Sequence, residues 1–405
     1  MSVKPMVRNN ICLNAHPQGC KQAVLNQIEY TKKEKAKYAK LAGKHKQIKN
    51  VLVLGCSNGY GLASRIVATF AYGADTIGVS LEKEGTEKKF GTPGWYNNLA
   101  FDMEAKKAGY KSITIDGDAF SDEIKTQVIE AAKSNNMKFD LVVYSLASPV
   151  RTDPSDGVMY RSVLKPFGAE FTGVTIDTMT GTIKTITAEK ATQEEADATV
   201  KVMGGEDWER WIDQLSAADV LEKNCMTVAY SYIGPEVSQA IYRRGTIGKA
   251  KEHLEKTAKI LTEKMKNFGG QAFVSVNKGL VTRSSSVIPI IPLYLSVLFK
   301  VMKEMGNHEG CIEQINRLFA ERLYVKNKNG DASVPVDENN LIRIDDWEMS
   351  SEVQKRVNEI MPKVNENNIY EVTDLIGYRH DFLATSGFDI EGVDYEKDVE
   401  RYDVI

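Results

Sequence analysis

"NVLVLGCSNGYGLASR" (Asn50–Arg65) begins with an apolar run of strand length, passes through Gly55, Gly59 and Gly61, and continues as a helix pattern from about Gly59. A turn of this kind needs residues that tolerate tight backbone geometry and let a phosphate approach main-chain N–H groups. A Gly-x-x-x-Gly-x-Gly string means little by itself. Between a first strand and the helix it opens, it points to dinucleotide binding. A glycine-rich turn without a ligand is the competing reading. A P-loop is disfavoured because no Gly-Lys-Ser/Thr follows.

The flanking sequence repeats the strand character in "DTIGVSL" (Asp75–Leu81), "KSITID" (Lys111–Asp116), "FDLVVYSLA" (Phe139–Ala147), "MTVAYSY" (Met226–Tyr232) and "QAFVSV" (Gln271–Val276). Helix patterns separate most of them, and another precedes them near Cys20–Ala42. Apolar strands alternating with helices predict an α/β fold, a doubly wound parallel sheet covered on both faces. An insertion at about 150–223 carries a small hairpin, "FTGVTIDTMTGTIKTIT", with its turn at "TG", and helical segments around Thr192–Lys201 and Trp208–Ser216. Beyond Asn277 the chain reads mainly helical, with a C-terminal extension at about 306–405. The expectation is a single enlarged domain over 1–405.

The 405 residues, 42% hydrophobic and 26% charged, describe an ordinary globular chain. A net charge of -3 gives no electrostatic case for nucleic acid or an anionic membrane. Five cysteines are no disulfide framework and fit a reducing cytoplasm. Cys12, His16 and Cys20 do not match a common zinc spacing, so no metal is expected. The N-terminus has no apolar signal segment. The longest apolar run, Val287–Phe299, is too short to span a bilayer and reads as buried, with Pro292 opening its helix.

Glu82, just beyond the second strand, is placed to accept hydrogen bonds from adenosine ribose hydroxyls and to repel a 2′-phosphate, favouring NADH over NADPH. Asp118, after the third strand, is a candidate for the adenine edge by order alone. In "SYIGPEVSQAIYRRGTIGKAKEHLEK" (Ser231–Lys256), Tyr242 and Lys251 would lie about 13.5 Å apart along an unbroken helix. Gly245 and Gly248 argue for a break, with Thr246 as cap of a helix from about Ile247. Lys251 falls on the apolar stripe Ile247, Ala250, Leu254, Ala258 and Leu261, whereas Lys249 does not. A nearby ammonium would favour ionisation of a phenol, and a tyrosine–lysine pair beside a nicotinamide can stabilise an oxygen that gains charge on hydride transfer. From the residues alone, an ordinary packed tyrosine remains open for Tyr242. Tyr232 ends the fifth strand at the edge where ligands bind in such sheets.

The blocks "GCSNGYGLASR", "GTPGWYNNLAF", "DGDAFSDE", "VYSLASPVRTDP", "VMGGEDWERW", "AYSYIGPE", "YRRGTIGKAK", "VNKGLVTRSS", "NHEGCIEQ" and "RIDDWEM" resemble the trans-2-enoyl-CoA reductases and the related FabV-type enoyl-acyl-carrier-protein reductases, from about Lys4 to Tyr395. The resemblance implies a Rossmann-type, short-chain-dehydrogenase-like fold with N- and C-terminal helical decorations. It implies NADH as cofactor, no flavin, and an enoyl-CoA substrate. It makes Tyr242 the proton donor, Lys251 its electrostatic partner within a Tyr-x8-Lys pattern, and Tyr232 a second active-site tyrosine. Cofactor contacts are implied at Gly55, Ser57, Gly59, Tyr60 and Gly61, at Leu81 and Glu82, at Asp118 and Ala119, at Ser145, Leu146 and Ala147, at Lys251, and at Leu280, Val281 and Thr282. Leu81 departs from the aromatic residue often found there. Val287–Phe299 is a candidate acyl-pocket wall, against the alternative of a plain core helix.

The competing activity is reduction of enoyl-acyl-carrier-protein, for which Arg243, Arg244, Lys249 and Lys256 would be the landing patch. A carbonyl reductase and a non-enzymatic NADH-binding regulator rank below it. A monomer or weak homodimer is expected.

Overall fold

A computed structural model describes residues 2–42, 48–282, 285, 288, 290–323 and 333–402. The six apolar runs form strands β1 (Asn50–Leu54), β2 (Asp75–Ser80), β3 (Ser112–Asp116), β4 (Phe139–Tyr144), β5 (Leu221–Ser231) and β6 (Gln271–Val276). A seventh, β7 (Leu341–Arg343), was absent from the sequence reading. They make one parallel sheet in the order β3-β2-β1-β4-β5-β6-β7. Residues Val51–Leu54 are entirely buried, which explains why these strands read as continuous apolar runs instead of alternating ones. Strand order reverses between β1 and β4, so the loops leaving their carboxyl ends diverge and open a crevice there.

The principal helices are α1 (Pro17–Ala42), α2 (Gly59–Phe70), α3 (Pro93–Lys107), α4 (Asp122–Ser134), α5 (Gln193–Met203), α6 (Glu206–Ala217), α7 (Thr246–Met265), α8 (Ile291–Glu304), α9 (Cys311–Leu318), α10 (Ser351–Ile360) and α11 (Leu375–Ala384). Side chains from α1, α2, α3 and α9 bury one face of the sheet. Those from α4, α6 and α7 bury the other. A third core joins α8, α10 and α11 to Val3 and Cys12 near the N-terminus. Pro292 does open α8, as expected. Among the described residues, no helix is long and apolar enough to cross a membrane.

The insertion carries the expected hairpin, Phe171–Ile176 against Ile183–Ala188. Its connection is longer than a "TG" turn: Asp177–Thr182 form a loop in which the Asp177 carboxylate accepts from the N–H groups of Met179 and Thr180, and Gly181 takes φ +77°. A second small hairpin pairs Val150–Thr152 with Met159–Arg161. Thr246 is not the cap of α7 but its first residue. Gly245 occupies the cap position, and the Thr246 hydroxyl donates to the Val163 carbonyl, tying α7 to the insertion.

One buried ion pair locks the insertion to the sheet. Lys125 Nζ of α4 donates to the carbonyls of Ala119 (3.0 Å) and Phe120 (2.9 Å) and to Asp207 Oδ1 of α6 (2.8 Å). The Tyr144 hydroxyl, at the end of β4, donates to Asp207 Oδ2 at 3.1 Å. Burial pushes the Lys125 ammonium down and the Asp207 carboxyl up, and each opposes the other's shift by its charge. Lys125→Met would strand the Asp207 charge, and we expect urea unfolding to show a loss of about 3–5 kcal/mol. Adding Asp207→Leu should recover part of that loss.

Candidate active site

The first turn is compressed on two sides. Gly55 has φ +84°, and a Cβ there would lie 2.1 Å from the Ser145 carbonyl oxygen at the end of β4. A Cβ on Gly61 would lie 1.8 Å from the Gly55 carbonyl oxygen. Helix α2 has no acidic residue in its first turn, and the Asn58 side chain makes no capping bond, so its N-terminal N–H groups face the crevice without an internal anion.

A cavity of about 900 Å³ fills the crevice. It is lined by Gly55, Ser57, Gly59 and Tyr60 of the turn, by Leu81 and Glu82 beyond β2, and by Asp118 and Ala119 beyond β3. Ser145, Leu146 and Ala147 line it beyond β4, and Leu280 and Thr282 beyond β6. Tyr232, Tyr242 and Lys251 face the same space. Two residues of the expected set do not line it. Gly61 is buried beneath the turn, and Val281 packs into the third core.

Glu82 is held in place. Ser57 Oγ donates to its Oε1 at 2.6 Å, and Asn97 Nδ2 in turn donates to the Ser57 carbonyl at 2.9 Å. A Cβ on Gly94 would come within 2.0 Å of that same carboxylate oxygen. The "GTPGWYNN" block (Gly91–Asn98) thus buttresses the acid beyond β2, a role the sequence did not disclose.

The break between Tyr242 and Lys251 is real. The Tyr242 carbonyl accepts from the N–H groups of Gly245 (3.1 Å) and Gly248 (3.0 Å), and α7 starts only at Thr246. A Cβ on Gly248 would lie 1.7 Å from the Arg243 carbonyl oxygen, so this tight return needs glycine. Lys251 is buried on the inward stripe with Ala250 and Leu254, while Lys249 is exposed. No hydrogen bond joins the Tyr242 and Lys251 side chains. Burial instead dominates both groups. It pushes the Tyr242 phenol up to about 12. It pushes the Lys251 ammonium down to about 8, with Glu255 opposing. Tyr242 is therefore a neutral O–H donor at pH 7. Its ring meets that of Tyr232 edge-on, with centroids 5.3 Å apart.

Glu348, in the loop after β7, was missed by the sequence reading. Its carboxylate is wholly buried and accepts from the hydroxyls of Tyr232 (3.1 Å) and Tyr294 (2.7 Å) and from the Gly279 N–H (2.6 Å). Burial raises it above the usual carboxylate range, against the Lys278 ammonium and the Gly279 N–H. Burial also pushes Lys278 down to about 8. The only sequence signal was Glu348's place in the block "RIDDWEM".

Both chain ends contribute walls. Asn10, Ile11 and Cys12 from the N-terminal segment, and Phe382, Thr385 and Ser386 from the end of α11, line the cavity. Here the two ends touch: the His16 N–H donates to the Ser386 carbonyl at 2.9 Å, and a Cβ on Gly19 would lie 1.6 Å from the Gly387 carbonyl oxygen. Ile291 and Leu295, one turn apart on α8, add an apolar wall with Ile288, whereas Leu298 and Phe299 belong to the core. Val287 and Pro289 lie outside the described residues.

His16 accepts from the Gly19 N–H at 3.1 Å and packs against Phe388 and Tyr395. Among the described residues, no cluster of three His, Cys, Asp or Glu side chains is arranged to hold a metal. The basic patch is largely neutralised: Arg243 pairs with Glu255, Arg244 with Glu236 and Lys249 with Glu252.

Three family models match the chain: "NAD(P)H binding domain of trans-2-enoyl-CoA reductase" over residues 2–87, "Trans-2-enoyl-CoA reductase catalytic region" over 89–324, and "Enoyl reductase FAD binding domain" over 336–399. The residues of the last segment do not fit a separate flavin site. Its helices α10 and α11 bury Val353, Val357 and Tyr378 in the core shared with α8, and its β7 extends the same sheet. The trans-2-enoyl-CoA reductase [NADH] of Treponema denticola is 68% identical over 405 residues, 100% of each chain. An enoyl-[acyl-carrier-protein] reductase [NADH] of Flavobacterium johnsoniae is 52% identical, covering 99% of this chain and 98% of its own. The crystal structure of the Treponema denticola reductase in complex with NAD superimposes with a TM-score of 0.96 at 68% identity, over 100% of this chain and 99% of the other. That of a Clostridium acetobutulicum trans-2-enoyl-CoA reductase in complex with NADH gives a TM-score of 0.93 at 43% identity, over 99% and 98%. With the glycine turn, the held acid and the two tyrosines opening into one cavity, these matches mean that the chain belongs to the trans-2-enoyl-CoA reductase family.

Proposed function

We propose that this protein uses NADH to reduce the trans-2 double bond of short-chain enoyl-CoA thioesters, giving the saturated acyl-CoA. The observation that carries the reading is the opening of the dinucleotide crevice, Tyr242 and Lys251 into a single cavity. In this reading, Gly55, Ser57, Gly59 and Tyr60 hold the pyrophosphate end of the cofactor. Glu82 takes the adenosine ribose, Asp118 and Ala119 the adenine, and Ser145–Ala147, Lys251, Leu280 and Thr282 the nicotinamide half. Gly61 acts by letting α2 approach the turn, and Val281 by anchoring its segment in the core. When bound, NADH supplies the hydride that reaches the β-carbon.

Tyr242 donates its O–H to the thioester oxygen as that oxygen gains charge, and in a buried site such a bond counts for more than in water. Lys251, charged below about 8, adds a cation beside the developing enolate. Tyr232 walls the carbonyl side, its own proton directed at Glu348. Protonation at the α-carbon completes the product. Ile291 and Leu295 receive the acyl chain.

The second reading, an enoyl-acyl-carrier-protein substrate, draws on the names of some relatives near 50% identity, while others at 50% are named trans-2-enoyl-CoA reductases. The pairing of Arg243, Arg244 and Lys249 with carboxylates weighs against a landing patch there. We further take the chain as one folding unit, because strands from all three matched segments share one sheet. Five free cysteines support a cytoplasmic protein, which we take to be monomeric or weakly dimeric.

NADH oxidation at 340 nm with crotonyl-CoA and with crotonyl-acyl-carrier-protein is the direct test. Faster turnover of the CoA thioester is expected, and Tyr242→Phe should lower kcat at least about 100-fold. Oxidation with neither substrate would reject the assignment. A pH series should show kcat/KM declining as pH rises through about 8, where the free enzyme's Lys251 loses its proton. Glu82→Ala should raise the KM for NADH and narrow its advantage over NADPH.

A further inference from the structure

Two loops that are far apart in sequence meet on a single side chain behind the tyrosines. The segment Asn277–Thr282 leaves β6 and passes over the cavity, and the loop after β7 carries Glu348 beneath it. The two oxygens of Glu348 face different partners. Oε1 accepts from Tyr232 and Tyr294, whereas Oε2 accepts from the main-chain N–H of Gly279. Gln354 Nε2 fixes the far side, donating to the Tyr294 hydroxyl at 3.1 Å and to the Glu348 carbonyl at 2.8 Å. The neighbouring Lys278 is gripped by its main chain: its N–H donates to Gln314 at 2.9 Å, and its carbonyl accepts from Tyr60 at 2.6 Å.

We propose that Glu348 is a positioning residue of the reaction, which sets the Tyr232 hydroxyl and the Gly279–Thr282 segment in one register through its two carboxyl oxygens. The inference rests on the reading of Tyr242 as the acid. Tyr232 is the ring against which Tyr242 packs, so a fixed Tyr232 hydroxyl fixes the wall behind the donor. Gly279 lies close beneath: a Cβ there would be 3.1 Å from the Tyr232 hydroxyl oxygen, and 2.9 Å from Leu295 of the apolar wall. A carboxylate suits the position because three donors converge on it. A glutamine offers only one accepting oxygen and turns an N–H toward the remaining donors. It therefore keeps the volume and breaks the shared register.

The test is a double-mutant cycle on NADH oxidation with crotonyl-CoA, using Glu348→Gln, Tyr232→Phe and both together, with melting temperature recorded for each. Glu348→Gln should lower kcat about tenfold and raise the KM for NADH severalfold. In the Tyr232→Phe background the further loss in kcat should shrink to about twofold or less, while the rise in NADH KM persists through Gly279. Because Glu348→Gln alters a buried group, Tyr294→Phe serves as a second probe. It leaves the carboxylate in place, lies off the cavity, and should lower kcat only when Tyr232 is present.

Equal factors in the two backgrounds would overturn the proposal, as would an unchanged NADH KM or wild-type turnover in Tyr232→Phe. Full activity in Tyr242→Phe would instead overturn the reading of the acid on which the proposal rests, and the two failures are told apart by that variant.

Discussion

Three stretches of main chain approach one another more closely at the head of β1 than any side chain would allow. The Gly55 carbonyl oxygen occupies the place of a side chain at residue 61, and the Ser145 carbonyl oxygen occupies that of one at residue 55. Glycine at such positions costs conformational entropy, about 1 kcal/mol each relative to alanine. The return is geometric. Helix α2 starts directly at the strand end, and β4 passes close enough for the crevice between them to be bounded by backbone. The remaining walls are built onto this contact, from Glu82 on one side to the tyrosines on the other.

The same closeness explains why so many charged groups are buried near the cavity. Loops packed against a backbone-lined crevice need partners for their own polar atoms, and here long side chains supply them. Arg65 of α2 donates to Thr76, Thr114, Ser112 and Asp102, joining β2, β3 and α3. Lys125 performs the comparable task for the β3–α4 loop and Glu348 for the β6 loop. Each is satisfied by several bonds at once, the condition under which a buried charge is tolerable. The cavity keeps a definite shape because its loops are fastened from behind.

The elements legible in the sequence were those whose signal is local. Strands β1 to β6 announced themselves because burial on both faces demands an unbroken apolar run. The Gly245 and Gly248 break and the inward face of Lys251 followed from spacing within one helix. Strand β7 was illegible because three residues at a sheet edge borrow their geometry from β6. Thr246 was misread as a cap, since nothing nearby in sequence reveals that its hydroxyl reaches Val163. Glu348 escaped for the same reason: Tyr232 is 116 positions away in sequence, and only the folded chain makes them neighbours. No hydrogen bond joins Tyr242 to Lys251, and burial governs both groups.

The meeting of the two chain ends over the cavity bears on how the protein is made. A ribosome completes the glycine turn once Gly61 has emerged, yet the wall formed by Phe382, Thr385 and Ser386 comes last, and Asn10–Cys12 must wait for it. Ligand binding stabilises only a state that can hold the ligand. A nascent chain therefore gains the full stabilisation of a bound ligand only late in its synthesis, and until then the apolar lining of the crevice lacks its last wall. Arrival of the wall at the end of α11 is the step that completes the outline of the cavity.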